Sequence, residues 1–170
     1  MSKRFLLTSF DIWLPHHQSN SSDDLLTQVS KLEGISHDLT CLRLLPVDIA
    51  LASSQVIEKI RELQPQAIIC CGMAEKRSQL TVESNASCGE AVLQTTVDLQ
   101  NLLALSENVG ISHDCGKFIC EGLYYSVLDY LNRQQIKVPC IFVHVPILTE
   151  DNLSEITRDF LLIIHQLALS

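Results

Sequence analysis

The chain has 170 residues, of which 46% are hydrophobic and 19% charged, and its formal net charge is −8. That is enough apolar material for one packed domain spanning residues 1–170, and the length is short for two. Twelve basic residues against 20 acidic ones, with no basic run, exclude a nucleic-acid surface of the usual electrostatic kind.

No apolar run reaches the ~20 residues of a membrane span. The longest, near Phe160–Leu169, is interrupted by His165 and Gln166. The start, Met1-Ser2-Lys3-Arg4-Phe5-Leu6-Leu7, offers only a short apolar stretch before Asp11, so no signal peptide is expected. The seven cysteines are Cys41, Cys70, Cys71, Cys88, Cys115, Cys120 and Cys140. An odd count without a CxxC pair suits neither a zinc cluster nor a disulfide framework. A reducing, cytoplasmic setting is expected, with most thiols serving as small core hydrophobes.

In chain order, Arg4–Phe10 reads as a first strand, followed by a polar, turn-rich stretch with Pro15, His16 and His17. Ser22 or Asp23 can cap a helix running to about Leu32, which Gly34 stops. Leu39–Leu45 reads as a second strand. Ile49–Leu63 reads as a helix with an apolar stripe of Val56, Ile57, Ile60 and Leu63. Ala67–Cys71, closed by Gly72, has the continuous apolar character of a strand buried on both faces. Met73 to about Leu93 is irregular, with a strand-like patch at Leu80–Val82. Val97–Leu105 suggests a helix, Ser112–Lys117 a loop, and Phe118 to about Asn132 a helix. Cys140–Val145 is another buried strand. Asp151 or Asn152 caps a last helix with a core stripe from Leu153 to Leu167.

Strands alternating with helices imply parallel pairing through right-handed crossovers. The expected fold is a three-layer α/β/α sandwich with a mostly parallel central sheet. Sites in such folds lie at the carboxyl ends of strands, here Ser9-Phe10, Gly72 and His144-Val145.

His144 lies in an otherwise apolar strand, so it is either a core histidine satisfied by a backbone carbonyl or a general base. Cys120 falls at a helix start, where dipole and free N–H groups favour a thiolate; the other reading is a buried structural thiol. Glu83 is either a solvated carboxylate or the group that orients the histidine. Cysteine, histidine and carboxylate make a nucleophile, base and orienter, but composition alone does not select this set. His16-His17 suggest a metal, yet adjacent histidines usually diverge and no third ligand is evident, so no metal site is expected. Arg77 either holds a carboxylate or sits in a surface ion pair.

The local patterns do select. Leu6-Leu7-Thr8-Ser9-Phe10 and Gly72-Met73-Ala74, with Arg77, Leu80 and Glu83, resemble the N-terminal half of the pyroglutamyl peptidase type I (pyrrolidone-carboxylate peptidase) family. Ser112-His113-Asp114-Cys115-Gly116-Lys117-Phe118-Ile119-Cys120 is similar to that family's S-x-x-A-G-x-[YF]-[VI]-C, and Phe142-Val143-His144-Val145-Pro146 to its F-x-H-V-P. The resemblance covers nearly the whole chain. It implies a cysteine peptidase that removes an N-terminal pyroglutamyl residue from peptides without metal or cofactor. Cys120 would be nucleophile, His144 base and Glu83 orienter, and Phe10 and Trp13 would sandwich the lactam ring. It also implies a possible homo-oligomer.

The chain departs from the family pattern in several places. Ser9 stands for a glycine. Leu14-Pro15-His16-His17-Gln18 replaces a proline- and glycine-rich loop, and Glu75-Lys76 a Gly-Gly pair. Cys115 stands for alanine and Glu121 for asparagine. The loop expected after Glu83 is largely missing, with its arginine and part of the oligomer contact. A weak or inactive relative that binds a small amide or a protein partner is therefore the alternative. Glu121, beside the nucleophile, is expected to raise the Cys120 pKa.

Overall fold

The period of two in a β-strand sends alternate side chains to opposite faces, so a strand buried at every position must be covered on both sides. The computed structural model, which describes residues 1–170, shows three strands buried at all or all but one of their positions at the centre of one sheet. In chain order the elements are β1 (Arg4–Phe10), α1 (Ser21–Ser30), β2 (Asp38–Leu45), α2 (Ile49–Leu63), β3 (Ala67–Met73), β4 (Thr81–Glu83), β5 (Asn85–Cys88), β6 (Ala91–Gln94), α3 (Leu99–Leu102), β7 (Gly110–Ser112), α4 (Ile119–Arg133), β8 (Cys140–Val145) and α5 (Leu153–Leu169).

Six strands pair in the order β2-β1-β3-β8-β4-β7; only the β4–β8 pair is antiparallel. On one face Leu6, Ile68, Cys70 and Phe142 pack with Val56 and Ile60 of α2 and Leu123 and Val127 of α4. On the other, Phe5, Leu7, Ile69 and Val143 pack with Leu25 and Leu26 of α1 and Phe160 and Ile163 of α5. The chain thus has the expected three layers and mostly parallel sheet. No helix is long and apolar enough to cross a membrane.

The differences from expectation lie in short or half-exposed elements. The Asn20 side chain, rather than Ser22 or Asp23, caps α1 by accepting from the Ser22 amide. Ser22 and Asp23 are occupied instead with the end of β1: Ser22 Oγ accepts from Phe10 N at 3.2 Å, and Ser9 Oγ donates to Asp23 at 2.7 Å. The helix expected over Val97–Leu105 forms only at Leu99–Leu102, capped by Asp98. The β5–β6 hairpin and β7 fall where the sequence shows no strand period, because these segments are short and largely uncovered on one side.

Candidate active site

The carboxyl ends of β1, β3 and β8 and the start of α4 meet at a cleft of about 440 Å³, lined among others by Phe10, Trp13, Phe118, Cys115, Cys120 and His144. The strand register explains why. Gly72 pairs with His144 in parallel, so both project to the same face of the sheet. A Cβ added at Gly72 would fall 2.5 Å from the Cys120 sulfur. The glycine therefore leaves the space that the sulfur occupies, on the face that carries His144. Glu83 pairs with Phe142, two residues before His144, and so projects to that face as well.

There Glu83 Oε1 lies 2.7 Å from His144 Nδ1. Glu83 is fully buried and its ionised carboxylate can only accept, which assigns the proton to Nδ1 and leaves Nε2 bare. Arg77 closes the arrangement from behind. Its guanidinium pairs with Glu83 Oε1, donates to the Thr81 hydroxyl, and donates to the Asp114 carbonyl at 2.9 Å. Of the two readings of Arg77, the carboxylate holder is the one found. Burial pushes the Glu83 carboxyl up, but hydrogen bonds led by that from His144, with Arg77 contributing, outweigh it and hold the group below the ordinary carboxylate value.

Cys120 differs from expectation. Burial and then the Glu83 charge push its thiol up to about 12, against a smaller opposing effect of Arg77. A position in the first turn of α4 is not enough to offset desolvation next to a buried carboxylate, so the resting sulfur is protonated. Burial, Glu83, Arg77 and Cys70, rather than Glu121, are the main influences on Cys120. Glu121 Oε1 accepts from the Ser87 amide at 3.0 Å, which ties it to the β5–β6 hairpin, and its charge acts on Cys115 instead.

The cleft thus gathers Phe10, Trp13, Cys120 and His144, with Glu83 behind the imidazole. Phe10 is buried at the base and Trp13 exposed at the mouth. Two residues with no assigned role in the sequence reading join them. Phe118 is exposed and stacks on Trp13 with ring centroids 5.2 Å apart. Cys115 brings its sulfur within 4.8 Å of ligand atoms of both Glu83 and His144. Phe118 had a signal, an aromatic two residues before the cysteine; Cys115 had none, because its neighbours are distant in sequence.

No family model matches the chain. A pyrrolidone-carboxylate peptidase of Thermoanaerobacter sp. (strain X514) is 26% identical over 171 residues, covering 85% of this chain and 83% of that protein. One of Bacillus amyloliquefaciens is 25% identical, covering 91% and 83%. Over most of its length the chain is thus similar to pyrrolidone-carboxylate peptidases. Two solved structures of pyroglutamyl or pyrrolidone-carboxyl peptidases share its fold. Pyroglutamyl peptidase I from Bacillus amyloliquefaciens superposes with a TM-score of 0.86 at 21% identity, covering 100% of this chain and 97% of that one. The pyrrolidone carboxyl peptidase from Thermococcus litoralis gives 0.83 at 16% identity, covering 98% and 93%.

Proposed function

We propose that the protein is a cysteine peptidase that removes an N-terminal pyroglutamyl residue from peptides. The observation that carries this reading is the 2.7 Å bond from His144 Nδ1–H to the buried Glu83 carboxylate, which leaves Nε2 bare in the histidine that lines the same cleft as Cys120. A histidine in that tautomer accepts a proton from a thiol and later returns it to an amine. The resting Cys120 is a thiol, so its proton moves to Nε2 as the sulfur attacks the pyroglutamyl carbonyl. The imidazolium that forms is stabilised by Glu83.

No side chain caps α4 at Phe118, which leaves amides of its first turn free to donate to the oxyanion of the tetrahedral intermediate. Collapse breaks the C–N bond, with Nε2–H protonating the leaving amine, and gives a thioester on Cys120. Water, deprotonated by His144, then releases pyroglutamate and restores the thiol. Every step is carried by side chains and amides of the chain.

The cleft suits the lactam ring. Phe10 at its base and the Trp13–Phe118 pair at its mouth form an apolar slot for a flat, uncharged ring. Free glutamate would have to desolvate an ammonium and a carboxylate there, at a cost of several kcal/mol. All seven cysteines are unpaired, which suits the reducing cytoplasm. The test is hydrolysis of a pyroglutamyl-coumarin amide by the purified protein. Coumarin release that is lost in Cys120→Ser and absent with the glutamyl analogue is expected; no release by the unaltered protein overturns the reading.

A further inference from the structure

Beside the cleft, outside the Cys120–His144–Glu83 arrangement, the structure resolves the question of His16 and His17. Leu14–His17 form a turn closed by a 3.0 Å bond from His17 N to the Leu14 carbonyl, with Pro15 at its second position fixing φ. In this turn the adjacent histidines do not diverge; their ring centroids lie 4.2 Å apart. The missing third group comes from another part of the chain. Glu75 sits in a second turn, closed by Arg77 N to the Ala74 carbonyl at 3.0 Å and anchored to β8 by Ala74 N to the Val145 carbonyl at 2.9 Å. His16 Nε2 lies 3.3 Å from Glu75 Oε1, and His17 Nε2 lies 3.0 Å from Oε2.

We propose that His16, His17 and Glu75 form a binding site for a divalent transition-metal ion, with zinc the ion that fits best. One ligand atom from each of the three lies within 4.8 Å of those of the other two. Around an ion with zinc–nitrogen and zinc–oxygen bonds of about 2.0–2.1 Å, the edges of a tetrahedron measure about 3.3–3.4 Å. The two histidine–carboxylate separations, one to each oxygen of Glu75, lie within a few tenths of an ångström of that edge, and the three ligand atoms are all within 4.8 Å of one another. Two imidazoles and one carboxylate form a borderline-soft set, which selects zinc and its neighbours over calcium or magnesium.

The site is organised without the ion. The His17 side chain is only 6% exposed, so its ring is held in place. The three residues border a small polar cleft of about 300 Å³ that also holds Asp24, so water has room to fill the fourth position. An ion there would fasten the turn following Trp13 to the segment that carries Arg77. Glu75 lines both this cleft and the larger one, so the ion would brace the mouth of the slot. The proposal stands whether or not the protein is a peptidase.

The test removes the competing thiols first. In the Cys115→Ala/Cys120→Ser protein, titration calorimetry with zinc chloride should show one saturable site. Cobalt(II) should give visible d–d bands without a thiolate-to-metal charge-transfer band. Glu75→Gln and His17→Ala in that background should each weaken zinc binding by roughly tenfold or more, at least the loss seen when outer-shell partners of a metal are removed. Glu75 is partly exposed and glutamine is isosteric, so that variant keeps the fold even if His17→Ala does not. No saturable binding, or zinc binding unchanged by Glu75→Gln, overturns the proposal.

Discussion

Cys115 and Cys120 both stand near His144, and their surroundings separate them. Cys115 is 4% exposed, and burial followed by the charges of Cys120, Glu83 and Glu121 raises its thiol beyond the range of a usable nucleophile. Cys120 borders the cleft at the first turn of α4. Cys120→Ser is therefore expected to lower turnover of the coumarin substrate by roughly 10³-fold or more, the scale of losing one member of a catalytic triad. Cys115→Ala should stay within about fivefold, the equivalent of ~1 kcal/mol. The reverse order would move the nucleophile to Cys115. Because the Cys120 thiol is pushed up to about 12, its labelling by iodoacetamide in the free protein should be slow at pH 7 and still be rising at pH 10. Mass mapping of the label over that range checks it, and a plateau near pH 8 would mean that the helix start prevails over burial. Glu83 touches His144 and not the slot, so Glu83→Gln should lower kcat by roughly 10²–10⁴-fold with KM nearly unchanged. A rise in KM alone would show that Glu83 acts on substrate binding instead.

At the level of elements, the close approach of β3 to the start of α4 positions the sulfur, and Gly72 permits it. An alanine Cβ there would lie 2.5 Å from Cys120 Sγ and 2.9 Å from a ring carbon of Phe142, which is fully buried and cannot yield. Gly72→Ala should cost about 1–3 kcal/mol of stability by overpacking and should slow alkylation of Cys120 as the sulfur is displaced. Thermal melts and labelling rates measure both, and unchanged values for both would mean that the strand and helix are less tightly apposed. Gly72 was readable in the sequence as the end of a buried strand, though not as the space for a sulfur. The same division runs through the molecule. Continuous apolar runs gave β3 and β8, and helical stripes gave α2 and α5, because burial on a fixed period writes itself into local sequence. The β5–β6 hairpin and β7 have too few buried positions to form a pattern. Cys120, His144 and Glu83 were legible because a family pattern spans them. Arg77's grip on Glu83 and the meeting of His16 and His17 with Glu75 join residues brought together only by the turns after β1 and β3, and no local period records such contacts.

At the scale of the whole molecule, one buried carboxylate links acid stability to the shape of the cleft. Asp23, in the first turn of α1, receives a hydrogen bond from Ser9 Oγ at 2.7 Å and a two-pronged one from Arg43, Nε to Oδ1 and Nη2 to Oδ2, both 2.8 Å. Ser9 Oγ also accepts from Leu44 N at 3.3 Å. Leu44 has a φ of 58°, where the β1–β2 register shifts between Thr8 and Phe10. The hydroxyl at Ser9 and the carboxylate at Asp23 thus tie together α1 and the ends of β1 and β2, from which Phe10 and Trp13 project. Burial raises the Asp23 carboxyl, but the hydrogen bonds from Arg43 and Ser9 and the Arg43 charge prevail, and it is held below its ordinary value of 3.8. A carboxyl lowered in the folded state binds fewer protons there than in the unfolded chain. Its contribution to stability is full above the unfolded value and is lost as pH falls through the folded one. Glu83, also lowered, acts in the same direction. The melting temperature should therefore drop as pH falls from about 5 to below 4, the window set by the unfolded values of these carboxyls. Asp23→Asn cannot take up that proton. It should melt lower at neutral pH, because the Arg43 pair is lost, and show a shallower decline in acid. Melting curves of both proteins between pH 7 and pH 3 decide it: two parallel profiles would mean that Asp23 titrates alike folded and unfolded, and that the pair with Arg43, whose side chain is 40% exposed, is screened by solvent.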